Sequence, residues 1–123
     1  MILVDTSVWI DHFRASNLAL VRLLGEGEVL THPFVIGELT LGNLRDRTSV
    51  LEALRQMPLA TPATDDEVLG FIETHRLHGL GIGYIDAHLL ASARLTPGSR
   101  LWTRDQRLAA VAERLDLRAE PLA

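Results

Sequence analysis

The chain has 123 residues, 47% of them hydrophobic and 23% charged, values that suit one globular domain and argue against disorder. A net charge of −4 argues against a protein that coats nucleic acid through general basicity, although an acidic enzyme can still act on nucleic acid when a metal ion neutralises a local cluster. Without cysteine there are no disulfides, thiol nucleophiles or cysteine zinc sites, and because every one of the 12 basic residues is arginine, no mechanism that needs a lysine is available.

Ile2 to Val4 form a short apolar strand that runs straight into Asp5, and Ser7 to Arg14 follow with helical character. Leu18 to Leu24 make a second helix stopped by Gly25, and Glu28 to Thr31 a second short strand. Pro33 suits the first turn of a helix through Leu41. Ser49 with Glu52, and Thr64 with Glu67, each match a capping box ahead of an apolar-periodic run, and "PLATP" between them is a brief strand or connector. After the glycine-spaced turn "GLGIG", Tyr84 to Leu95 form a helix; "PGS" marks a turn, "RLWT" a strand, and Asp105 opens a last helix. Leu117 to Ala119 are an expected edge strand. Strands separated by helices imply one α/β domain over residues 1–123, a parallel sheet covered on both faces. Ligands of such sheets bind beyond the carboxyl ends of the strands. No apolar run approaches the roughly 18 residues of a membrane span, and no basic-then-apolar leader opens the chain, so a cytoplasmic protein is expected.

Four acidic residues stand apart from the solvated ones. Asp5 leaves a buried strand and is either the cap of the next helix or a group aimed into the crevice, with Thr6 and Ser7 able to take the capping role. Glu38 neighbours Phe34, Val35, Leu41 and Gly42 on its helix, at the border of the apolar stripe. Asp86 lies in the first turn of its helix, where the dipole favours a carboxylate, yet shares a face with Ile82 and Leu90. Asp105 follows a strand and competes with Thr103 as a cap. Brought together without a lysine, four carboxylates would resist ionisation, a conflict that a divalent cation removes; an all-oxygen set suits Mg²⁺ or Mn²⁺. Asp11, Asp46, Asp65, Asp66 and Glu113 read as solvated surface. Of the five histidines, most read as surface or helix-end residues; His75 and His78 are spaced for one helix face but lack a third ligand, and His88 points away from Asp86.

A carboxylate-bound Mg²⁺ can activate water and stabilise charge on phosphoryl oxygens. Walker-type phosphate binding is excluded by the missing lysine motif. Haloacid-dehalogenase-like and receiver-domain chemistry fail too, since Ser7 stands where the former needs a second aspartate and both need a lysine. Metal-dependent phosphodiester hydrolysis survives.

The blocks "ILVDTSVWID", "FVIGELTLG", "GYIDAHLLASA" and "LWTRDQRL", in this order and spacing, resemble a PIN domain, in particular the VapC-type toxin ribonucleases of type II toxin–antitoxin systems. The resemblance spans nearly the whole chain. It implies a PIN-like three-layer α/β/α fold with a central parallel sheet, and Mg²⁺- or Mn²⁺-dependent endoribonuclease activity. By the same resemblance Asp5 and Asp86 hold metal most directly, Glu38 positions metal or water, Asp105 completes the cluster, and Ser7 and Thr103 line it. Only Asp105 is acidic in the last block, which leaves one or two metal ions open. Arg104 and Arg107 are either RNA-phosphate contacts or solvated helix-start residues. A VapB-type antitoxin whose C-terminal segment covers the groove is implied, as is a homodimer; Trp9, Phe13 and Leu41 are apolar anchors for such a partner or core residues. The alternatives are a PIN nuclease of RNA maturation or repair, and a PIN-like binding module without catalysis.

Overall fold

The computed structural model describes residues 1–121, and the strand Ile2–Val4 (β1) forms the centre of its sheet. Val29–Leu30 (β2) pairs with β1 on one side and Arg100–Trp102 (β3) on the other, both parallel, in the order β2-β1-β3. Leu3 and Val4 point to opposite faces, as neighbours in a strand must, and both are fully buried. The sheet is therefore covered on both sides, as expected of parallel strands linked by helices. Single parallel bridges, Thr31 to Leu59 and Leu101 to Arg118, extend it at its two edges. "PLATP", read as a brief strand or connector, is a connector with one bridge, and the edge strand expected at Leu117 to Ala119 is likewise reduced to one bridge.

Among the described residues seven helices surround the sheet: Thr6–Arg14 (α1), Leu18–Gly25 (α2), Pro33–Thr40 (α3), Arg47–Gln56 (α4), Asp65–His75 (α5), Tyr84–Leu95 (α6) and Gln106–Arg114 (α7). Helix α3 packs against α1 and α4, while α6 packs against α5 and β3. Leu3, Val4, Leu20, Leu39, Leu54, Leu89, Leu90, Leu101 and Leu108 form the main core with their neighbours, and Ala63, Val68, Ala87 and Ala91 a smaller one beneath α5 and α6. The small residues of α6 allow the close approach of α5, and the expected Thr64–Glu67 capping box is complete, with both reciprocal bonds formed.

The Ser49–Glu52 capping box does not form. Helix α4 begins three residues earlier than a Ser49 cap implies, at Arg47, after Asp46 in a left-handed conformation (φ 49°) with no side-chain cap. Arg47 reaches back to the carbonyls of Thr40 and Gly42, and this clamp turns the chain before Ser49 can act as a cap. Two histidines also depart from expectation. His32 is 1% exposed, caps α3 through Nδ1 and meets the Ser92 hydroxyl through Nε2. His88 is 3% exposed and contacts the carboxylate of Asp65, which is on the surface as expected and also accepts the Tyr84 hydroxyl. His75 ends α5, and Arg76 turns left-handed after it, so His78 does not share its helix face.

Candidate active site

The carboxyl ends of β1 and β3 lie side by side, which brings Asp5 and Thr103 together although they are 98 residues apart. Asp5 is 7% exposed, and the Asp5 N–H extends the ladder by donating to the Trp102 carbonyl. Its Oδ2 accepts the Ser7 hydroxyl at 2.6 Å and the Thr103 hydroxyl at 2.8 Å. Asp5 is itself the cap of α1, its Oδ2 lying 3.4 Å from the Ser7 N–H, so Thr6 and Ser7 do not relieve it of that role. Ser7 and Thr103 instead hold the carboxylate in place. Thr103 Oγ1 also accepts the Asp105 N–H, linking the two strand ends.

The other three acids have comparable anchors. Asp86 Oδ2 accepts the Gly83 N–H at 2.9 Å, closing the turn ahead of α6. Asp105 Oδ1 caps α7 by accepting the Leu108 N–H at 2.9 Å. Glu38 Oε1, on α3, accepts the Thr6 hydroxyl at 2.7 Å. Each carboxylate thus uses one oxygen to satisfy the fold, and its second oxygen has no hydrogen-bond donor among the described residues. Capping and ligand binding, rivals on sequence grounds, are compatible because a carboxylate has two oxygens.

Burial pushes the Asp86 carboxyl above its ordinary range; the Gly83 N–H opposes this, and the negative charges of Asp5, Asp105 and Glu38 add to it. The four acids therefore share one electrostatic neighbourhood. They are not drawn into a closed cage, and among the described residues no three acidic or imidazole groups surround a common point as a preformed metal site.

The flanking arginines differ from each other. Arg104 forms an ion pair with Asp11 at 2.6 Å, and its N–H donates to Ser7 Oγ. Asp11, which reads as solvated surface in sequence, thus steers Arg104. Arg107 lies along Gly81, where φ is +79° and an added Cβ would come within 2.8 Å of Nη1. Sequence reasoning missed Thr6 as the partner of Glu38; a hydroxyl directly after Asp5 was the available signal. Trp9 is core, at 3% exposure, whereas Phe13 and Leu41 are exposed.

A family model described as PIN domain matches residues 2–114. Ribonuclease VapC32 of Mycobacterium tuberculosis is 53% identical over 114 residues, which span 92% of each chain. Among solved structures, FitAcB from Neisseria gonorrhoeae is similar with a TM-score of 0.62 and 25% identity, covering 92% of this chain and 94% of that one. PAE2754 from Pyrobaculum aerophilum gives a TM-score of 0.59 at 20% identity, over 93% and 85% of the two chains, a likeness of fold.

Proposed function

The chain belongs to the PIN-domain family, and from that premise we propose that it is a metal-dependent endoribonuclease acting as the toxin of a type II toxin–antitoxin pair. The observation that carries this reading is the coupling of Asp86 to Asp5, Glu38 and Asp105, each with a free carboxylate oxygen. The relative named as a VapC ribonuclease supports the reaction class.

An all-oxygen, lysine-free donor set fits a hard divalent cation, and the open arrangement suits Mg²⁺, which keeps several waters and needs only one or two direct carboxylates. Asp5 and Asp86 would hold it, with Glu38 and Asp105 completing the negative shell; Mn²⁺ would serve similarly. Such an ion supplies Lewis acidity toward a phosphoryl oxygen and a water of lowered pKa. The chain's own contribution is to fix the carboxylates. Ser7 and Thr103 orient Asp5, the Gly83 N–H orients Asp86, and Thr6 orients Glu38. Arg107 is available to meet RNA phosphate, while Arg104 is engaged by Asp11. A VapB-type antitoxin and a second copy of the chain are the proposed protein partners, and the 123 residues act as one domain.

Asp5→Asn and Asp86→Asn keep an oxygen acceptor for their structural bonds but remove the charge. Each should abolish RNA cleavage and growth arrest while melting as a folded protein. Cleavage by either variant at the wild-type rate in Mg²⁺, or cleavage that persists in excess EDTA, would overturn the metal-site assignment.

A further inference from the structure

We propose that a groove beside the acidic cluster is a nucleotide subsite, which takes an RNA base adjacent to the cleaved phosphate on Phe13 and its flanking phosphates on Arg14 and Arg45. The inference rests on the ribonuclease reading above and adds how the substrate is held. The groove has a volume of about 610 Å³ and lies between α1, the end of α3 and the loop before α4. That size is ordinary for a site holding a small planar ligand, roughly 300–1,000 Å³. It begins at Glu38, one of its lining residues, so an occupant lies next to the cluster rather than at a remote surface.

Three features select the occupant. Ile10 and Leu39 provide an apolar floor, on which Phe13 is 37% exposed and stacks on the buried Trp9, with ring centroids 5.9 Å apart and planes at 29°. A ring supported from behind and open in front is a stacking platform for a base, a sequence-tolerant mode of holding single-stranded RNA. Arg14 and Arg45 line the same groove, and neither pairs with a carboxylate among the described residues, unlike Arg104, Arg100 and Arg118. Two guanidinium groups without an ion-pair partner outnumber the one carboxylate in the lining, Glu38, and beside an aromatic platform they suit an anion with a planar neighbour, since guanidinium forks match phosphate. The loop that carries Arg45 is held from behind by Arg47, which donates to the carbonyls of Thr40 and Gly42. A preset wall lowers the ordering cost of binding.

The test uses the full chain silenced by Asp5→Asn, with binding of a short fluorescein-labelled single-stranded RNA of mixed sequence followed by anisotropy across a salt series. Arg14→Gln with Arg45→Gln should flatten the slope of log Kd against log salt by about 1.4, the value for two single-strand phosphate contacts. The pair Arg55→Gln with Arg76→Gln, exposed positions outside the groove, is the charge-matched control and should leave the slope unchanged. Phe13→Leu, which keeps apolar bulk but removes the platform, should weaken binding about tenfold. Melting curves check that each variant is folded. An unchanged slope and affinity in the groove variants overturns the proposal. So does a result in which they alter only self-association or binding of the cognate antitoxin, since the groove is then a protein interface. In the otherwise wild-type chain, cleavage of total RNA tests the ribonuclease reading separately, because that reading fails if no RNA is cleaved even when the groove binds RNA.

Discussion

Thr103→Val isolates the hydroxyl that joins the two strand ends. Valine keeps the shape and branching of threonine but can neither donate to Asp5 Oδ2, 2.8 Å away, nor accept from the Asp105 N–H at 3.1 Å. The first bond has a charged acceptor and is worth about 1.5–3 kcal/mol; the second serves an exposed residue whose N–H can turn to water, so its loss adds little. The expected destabilisation is therefore about 2 kcal/mol. For a chain of this size that lowers Tm by about 6–10 °C, interpolating between smaller and larger domains. The Ser7 hydroxyl still holds Asp5, so cleavage should fall about tenfold rather than vanish, with a rise in the Mg²⁺ concentration for half-maximal activity. Thr103→Ser restores the hydroxyl and should recover both the Mg²⁺ requirement and most of the melting temperature. A Thr103→Val protein that melts within about 2 °C of wild type and keeps its Mg²⁺ requirement would refute the assignment of Thr103 as the group that positions Asp5.

Burial, aided by the nearby His88, pushes the His32 pKa down from 6.5 to about 4. The unfolded chain binds the extra proton between those values, so this contribution is complete above pH 6.5 and is lost as pH falls toward 4, by up to about 3 kcal/mol; His32→Asn should melt with a shallower pH dependence in that window, and parallel curves would contradict the burial argument. Mg²⁺ should raise Tm of the wild-type chain, by about 2.7 kcal/mol of stability at a hundredfold excess over Kd, and calorimetry should find that rise absent in Asp86→Asn. Gly81→Ala strains a positive φ and displaces Arg107, so RNA affinity should drop about fivefold while near-ultraviolet dichroism reports an intact core; undiminished affinity would remove Arg107 from the substrate path.

Local chemistry made much of this molecule legible. Strand β1, the Thr64–Glu67 box and Pro33 at the start of α3 each follow from residues within a turn of one another. The four acids could be singled out because a carboxylate beside apolar neighbours breaks the local pattern. Of the partners that complete them, Thr103, which meets Asp5 across the sheet, was reached only through the family resemblance, and Thr6, which meets Glu38 across 32 residues, was not reached at all. The burial of His32 and His88 was not legible for the same reason. Ser92 lies 60 residues from His32 and Asp65 lies 23 from His88, so nothing near either histidine marked it for burial. Helix α4 shows the opposite limit: a good local cap at Ser49 was overruled by a left-handed turn that Arg47 secures from outside the motif.

The adjacency of β1 and β3 has a consequence for how such a chain is made. Asp5 is made before its partner Thr103, which comes 98 residues later in the chain. Until β3 docks against β1, Asp5 lacks one of its two hydroxyl anchors and Asp105 has no fixed place beside it. A nascent chain thus carries the acidic residues without the centre they form. Cleavage that depends on this centre becomes possible only once β3 has been made and the sheet has closed.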